Sequence, residues 1–190
     1  MKHVLCLLML VLLMASASLA QTKQPLRFES YNAVGVVTSS QSTHGLIQTV
    51  NGVSLGRVYA GLGLGIDFYR VRSIPLFIDL KYRWGTGRNQ WFVYGDGGYN
   101  FPWDDESDVS TGGGVDPRFD GGFYGDLGLG YQRLIGKRSA LFVTAGYTEK
   151  YLSESYTVIP MCIGPGNCPP RTEFSDYRFR RYGFKLGWKF

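Results

Sequence analysis

Apolar and polar residues alternate along most of this chain with a period of two, the signature of strands whose side chains point to opposite faces in turn. The clearest run is residues 57–69, where Val58, Ala60, Leu62, Leu64, Ile66 and Phe68 share one face and Tyr59, Gly61, Gly63, Gly65, Asp67 and Tyr69 the other. Residues 74–84 answer it, sending Ile74, Leu76, Ile78, Leu80, Tyr82 and Trp84 one way and Phe77, Asp79, Lys81 and Arg83 the other. Six further segments follow the same rule: 27–38, 45–50, 91–101, 122–134, 140–151 and 177–190. In the fifth, an inward Asp96 turns Trp91, Val93 and Tyr99 outward; in the sixth, Phe123, Leu127, Leu129 and Tyr131 oppose Tyr124, Asp126 and Gln132; in the seventh, Leu141, Val143, Ala145 and Tyr147 face outward. The last strand sets Tyr182, Phe184, Leu186, Trp188 and Phe190 against glycines and lysines. The pattern predicts an all-β fold, an eight-stranded antiparallel up-and-down barrel.

The chemistry of the second face decides which way the barrel is turned. Asp67, Asp79, Lys81, Arg83, Asp96, Asp126, Lys185 and Lys189 converge there with many glycines, which suits a lumen filled by ion pairs and small residues and an apolar face turned to lipid. Eight strands enclose only the space that side chains can fill, so no open pore is expected. Tyr and Trp recur near strand ends, at Tyr69, Trp84, Trp91, Tyr131, Tyr147, Tyr182 and Trp188, as girdles at two membrane interfaces would require. The connections alternate: 51–56, 85–90 and 135–139 are short, whereas 100–118 and 152–175 are long and 70–73 is a short exception. The short ones read as periplasmic turns and the long ones as outer loops.

The N-terminus adds an export signal. Lys2 and His3 precede an apolar run from Val4 to Met14 and a Ser18-Leu19-Ala20 cleavage site. The run is too short for a transmembrane helix, so residues 1–20 are expected to be removed, leaving the barrel domain at 21–190. The abundance of glycine and aromatic residues, 26 Gly, 13 Tyr and 12 Phe, fits many short strands joined by turns. Loss of Lys2 lowers the formal charge from +5 to +4, and so mild a surplus argues against a nucleic-acid partner.

Candidate chemistry is sparse. The acidic stretch 104–108, with Asp104, Asp105, Glu106 and Asp108, offers hard oxygen ligands suited to Ca²⁺, but its spacing matches no EF-hand and it reads as a solvated loop, so no metal or cofactor is expected. Cys162 and Cys168 flank a Gly-Pro-Gly turn in an exported chain and read as a disulfide across a loop tip. The glycines at 61, 63 and 65 lack the dinucleotide-binding spacing and lie inside a strand. His44, beside Ser42 and Thr43, permits an imidazole-assisted hydroxyl as in outer-membrane lipid deacylases, yet no acid partner can be assigned, and the chain is read as having no catalytic residues.

Together the export signal, the eight segments, the stretch Ser73 to Arg83 and the closing strand from Tyr182 to Phe190 resemble the small outer-membrane β-barrel proteins abundant in Bacteroidetes and, more broadly, the OmpA/OmpX-type barrel. The resemblance implies localisation in the cell outer membrane and insertion by the barrel-assembly machinery after periplasmic chaperoning. Tyr182, Phe184, Leu186, Trp188 and Phe190 would be the C-terminal assembly signal, with no peptidoglycan-binding domain expected after it. It implies a monomer in contact with outer-membrane lipid and lipopolysaccharide, with a structural or surface-interaction role toward an unknown extracellular ligand. A lipid-modifying enzyme using His44, or a narrow channel, is the alternative.

Overall fold

The computed structural model describes residues 25–40, 42–68, 72–103, 118–158 and 171–190. They form eight antiparallel strands, β1 (Arg27–Thr38), β2 (Thr43–Leu55), β3 (Val58–Asp67), β4 (Ser73–Trp84), β5 (Asn89–Pro102), β6 (Arg118–Leu134), β7 (Ala140–Val158) and β8 (Arg171–Lys189). Each pairs with its neighbours in sequence, and β1 pairs with β8 to close the barrel. The expected architecture is the observed one. The signal-peptide reading, the acidic stretch 104–108 and the Cys162–Cys168 pairing all fall outside the described residues.

The boundaries depart furthest from the alternation pattern in β2, β7 and β8. β2 runs through Asn51 and Gly52, which look like turn residues, and ends at a tight turn of Gly56 and Arg57. Gly52 stays in the sheet because it is small: a Cβ there would lie 2.2 Å from the Ala60 carbonyl oxygen of β3. Gly56 takes the left-handed φ of 61° that a glycine-first hairpin turn requires. At the other end of the barrel, β7 and β8 continue into the stretch 152–175 expected to be a loop. Both faces of that ribbon are wet, so hydrophobic alternation is absent, and polar cross-strand pairs hold it instead. The Ser153 hydroxyl donates to Asp176 at 2.6 Å, Tyr177 to Glu154 at 2.8 Å and Tyr156 to Glu173 at 3.0 Å.

Inside, aromatic rings lie over glycines of the adjacent strand. Gly63 is opposite Phe77, Gly130 opposite Phe92 and Gly187 opposite Phe142, and a Cβ on any of the three would sit within 2.4 Å of the ring. Large and small inward positions thus interlock between strands, and Tyr31, Tyr59, Phe77, Phe92, Tyr94, Tyr124 and Phe142 build one buried cluster. Gly130→Val forces Phe92 out of its seat. It is expected to lower the unfolding free energy by about 1–3 kcal/mol, measured as a shifted urea midpoint of the refolded protein; an unchanged midpoint would show that the ring moves freely.

Candidate functional site

All eight charged residues that the alternation places inward are buried inside the barrel, and Glu29, Lys150 and Arg181 join them. Among the described residues the interior therefore holds five acids and six bases, a near balance that allows so many charges to be buried at all. They are arranged in tiers along the barrel axis.

At the turn end Glu29 is the hub. Arg83 Nη1 donates to both of its oxygens at 2.9 and 2.7 Å, Ser54 donates at 3.0 Å and Tyr31 at 3.2 Å, while Lys189 Nζ lies 3.4 Å away. In the middle tier, successive strands present Asp79, Asp96 and Asp126 opposite one another. Two lysines answer them: Lys81 pairs with Asp79, and Lys185 Nζ lies 2.6 Å from Asp126 and 4.0 Å from Asp96. Rings complete the cage, because Lys81 Nζ sits 4.5 and 4.9 Å from the centroids of Tyr31 and Tyr59 and Lys185 Nζ 5.0 Å from that of Tyr94, which offsets part of the desolvation cost. What remains between them is a void of about 20 Å³, the space of one water molecule.

The tier toward the loop end joins Asp67, Ser73 and Lys150. Lys150 Nζ donates to both Asp67 oxygens at 2.8 and 2.7 Å and to the Ser73 hydroxyl, which itself donates to Asp67. A serine beside a lysine invites a nucleophilic reading, but Lys150 is engaged through both oxygens of a carboxylate and Ser73 is fully buried, so the trio is a lock between β3, β4 and β7. Above it Val37, Leu46 and Phe179 pack together, and the Arg181 guanidinium lies 5.8 Å from the Phe179 ring. His44 is half-buried opposite Val37 near the loop end of β2. Its neighbours help close the turn to β1, Ser42 through its carbonyl, which accepts from the Ser39 amide at 3.0 Å, and Thr43 through a 2.8 Å hydroxyl contact with Thr38.

The outer face is apolar between two aromatic levels. Leu62, Leu64, Ile78, Leu80, Leu127, Leu129, Leu141, Phe184 and Leu186 are exposed on it. Trp91 and Tyr131 pair at 5.1 Å near the turns, and Tyr147 and Tyr182 at 5.9 Å toward the loops. Tyr182, Phe184, Leu186, Trp188 and Phe190, the residues expected to form an assembly signal, all lie on this face. Just beyond Tyr147 and Tyr182, Arg178 and Arg180 project outward and share Glu149, whose carboxyl the hydrogen-bonded Arg178 guanidinium holds below its ordinary pKa.

Sequence reasoning missed Glu29 because the first strand alternates poorly. Its outward positions include Ser30 and Asn32, which satisfy each other and Thr49 by hydrogen bonds of 3.3 and 2.9 Å. Strand parity counted back from Tyr31 would have found it. Lys150 and Arg181 were also missed, although they continue the inward parity of Thr148 on β7 and of Gly183 and Lys185 on β8.

No protein-family model matches the chain, and no curated protein matches it in sequence. Solved structures do match. The crystal structure of the outer membrane protein OprG from Pseudomonas aeruginosa superposes with a TM-score of 0.52 at 12% identity, covering 88% of this chain and 95% of that one. The solid-state NMR structure of outer membrane protein AlkL in DMPC bilayers gives a TM-score of 0.49 at 12% identity, covering 89% and 90% of the two chains. The N-terminal β-barrel domain of Pseudomonas aeruginosa OprF gives 0.47 at 15% identity, covering 86% and 97%. At such identities the likeness to OprG is one of fold: a closed antiparallel barrel of the kind found in outer-membrane proteins.

Proposed function

We propose that this chain is an outer-membrane β-barrel of the small kind its sequence resembles in Bacteroidetes, with a structural or surface-interaction role carried by its outer loops and no open pore. The observation that carries the reading is the filled middle of the barrel, where paired charges and the rings around them leave a void of about 20 Å³. A barrel filled at its middle favours the loops as the working part. The apolar outer face, its two aromatic levels and the short turns at one end support insertion with the turns in the periplasm. Arg178 and Arg180 stand where the phosphates of lipopolysaccharide would lie and supply guanidiniums to pair with them. The barrel is monomeric on this reading, needs no cofactor, and is inserted by the assembly machinery that reads its last strand.

Two measurements test it. Protein from an isolated outer-membrane fraction is expected to migrate faster on a gel before boiling in detergent than after. The refolded barrel in a planar bilayer is expected to give no stable unit conductance. A soluble protein without a heat-dependent shift would remove the membrane reading, and steady conductance steps would remove the sealed lumen.

A further inference from the structure

Charge is segregated along the barrel axis. Among the described residues, the turn end exposes Arg27, Arg57, Arg88, Arg133, Lys137 and Arg138 and no acidic side chain. The loop end exposes or half-exposes both signs, with Asp120, Glu149, Glu154, Glu173 and Asp176 beside Arg72, Arg118, Arg171, Arg178 and Arg180. The barrel opens at its turn end into a cavity of about 1060 Å³. Arg83 and Lys189 line its floor, and Arg27, Arg57, Lys137 and Arg138 its walls.

The only carboxylate side chain among the described lining residues is Glu29, and it is already occupied. It takes Arg83 through both oxygens, Ser54 and Tyr31 through hydrogen bonds, and Lys189 at 3.4 Å. Even counting a carboxylate at Phe190, six cations face two anions across the cavity. None of the four wall cations has an ion pair among the described residues. Like charges gathered around a concave space with a low-dielectric floor focus a positive potential. Their mutual repulsion is relieved by a ligand that brings the opposite charge.

We infer that the turn-end mouth is a binding site for a small, multiply charged oxyanion, held by Arg57 and Arg138 from the turns above a floor of Arg83 and Lys189. Phosphate and carboxylate groups share the chemistry that would be recognised, since guanidinium forks donate to either in pairs. The site lies at the end of the barrel opposite the outer loops and is distinct from their surface-interaction role.

The test uses the refolded full barrel in an uncharged maltoside detergent, titrated with pyrophosphate and, separately, with citrate, while tryptophan fluorescence is followed. Trp84 lines the cavity and reports on it. Saturable quenching is expected with at least one of the two, and the one that binds more tightly identifies the group preferred. Added salt should weaken binding, and Arg57→Gln with Arg138→Gln should weaken it by about tenfold or more. Both positions are exposed, so the double variant is expected to keep the heat-dependent gel shift of a folded barrel. Arg118→Gln, exposed at the other end, should leave the affinity unchanged. Absence of saturation by either anion up to roughly 10 mM, or equal affinity in the double variant, overturns the assignment.

Discussion

Glu29→Ala is expected to lower the unfolding free energy of the barrel by about 3–5 kcal/mol, because it strands two buried cations in one step. Arg83 would keep a hydrogen bond to the Gly56 carbonyl at 3.2 Å and a 3.5 Å contact to Tyr31, neither of which carries a counter-charge. Lys189 would lose the one carboxylate side chain it pairs with among the described residues. Urea unfolding in lipid vesicles, followed by tryptophan fluorescence, gives the midpoint. The matching control is Arg178→Ala, whose ion pair with Glu149 is exposed, and which should leave the midpoint where it is. If Glu29→Ala unfolds with the wild-type midpoint, the mouth admits enough water to solvate both cations and the hub is not what closes the turn end.

The second large effect comes from the opposite face of the wall. Leu127 is exposed midway between Tyr131 and Phe123 on β6. Leu127→Arg would place a guanidinium near the middle of the hydrocarbon, at a cost of about 2–4 kcal/mol. The same substitution on a water-exposed sheet would be nearly neutral. Comparing the urea midpoints of the wild type and variant in vesicles measures the difference directly. A variant as stable as the wild type, or more soluble without detergent, would mean that this face is not in lipid.

The legibility of the fold followed the contrast between the two sides of the wall. On β3, β4 and the lower half of β8, apolar residues alternate with glycines or charges, so the period, the direction of the side chains and the charged lumen were all readable. Where both sides of the sheet meet a similar environment, the signal fades. The outward positions of β1 and β2 are interrupted by Ser30, Asn32 and Thr49, whose hydrogen bonds to one another replace apolar side chains there. The upper halves of β7 and β8 are wet on both sides, and tyrosine–carboxylate pairs do the work of hydrophobic contacts. The interior site was legible as a set of residue types but not as a set of partners. That Lys150 of β7 would reach Asp67 of β3, or Arg83 of β4 reach Glu29 of β1, depends on closure of the ring, which no local pattern encodes.

The wall is also uneven in height. β1 ends opposite Tyr182, but β7 and β8 go on pairing from Tyr147 and Tyr182 to Val158 and Arg171. At about 3.3 Å per residue the added length is roughly 35 Å along the strands, or on the order of 25 Å of height at the usual barrel tilt. The polar headgroup zone adds only about 5–8 Å beyond the hydrocarbon. On the membrane reading proposed above, the ribbon would stand as a mast whose tip, at Val158 and Arg171, clears the lipid surface and offers its polar pairs to molecules too large to touch the bilayer itself.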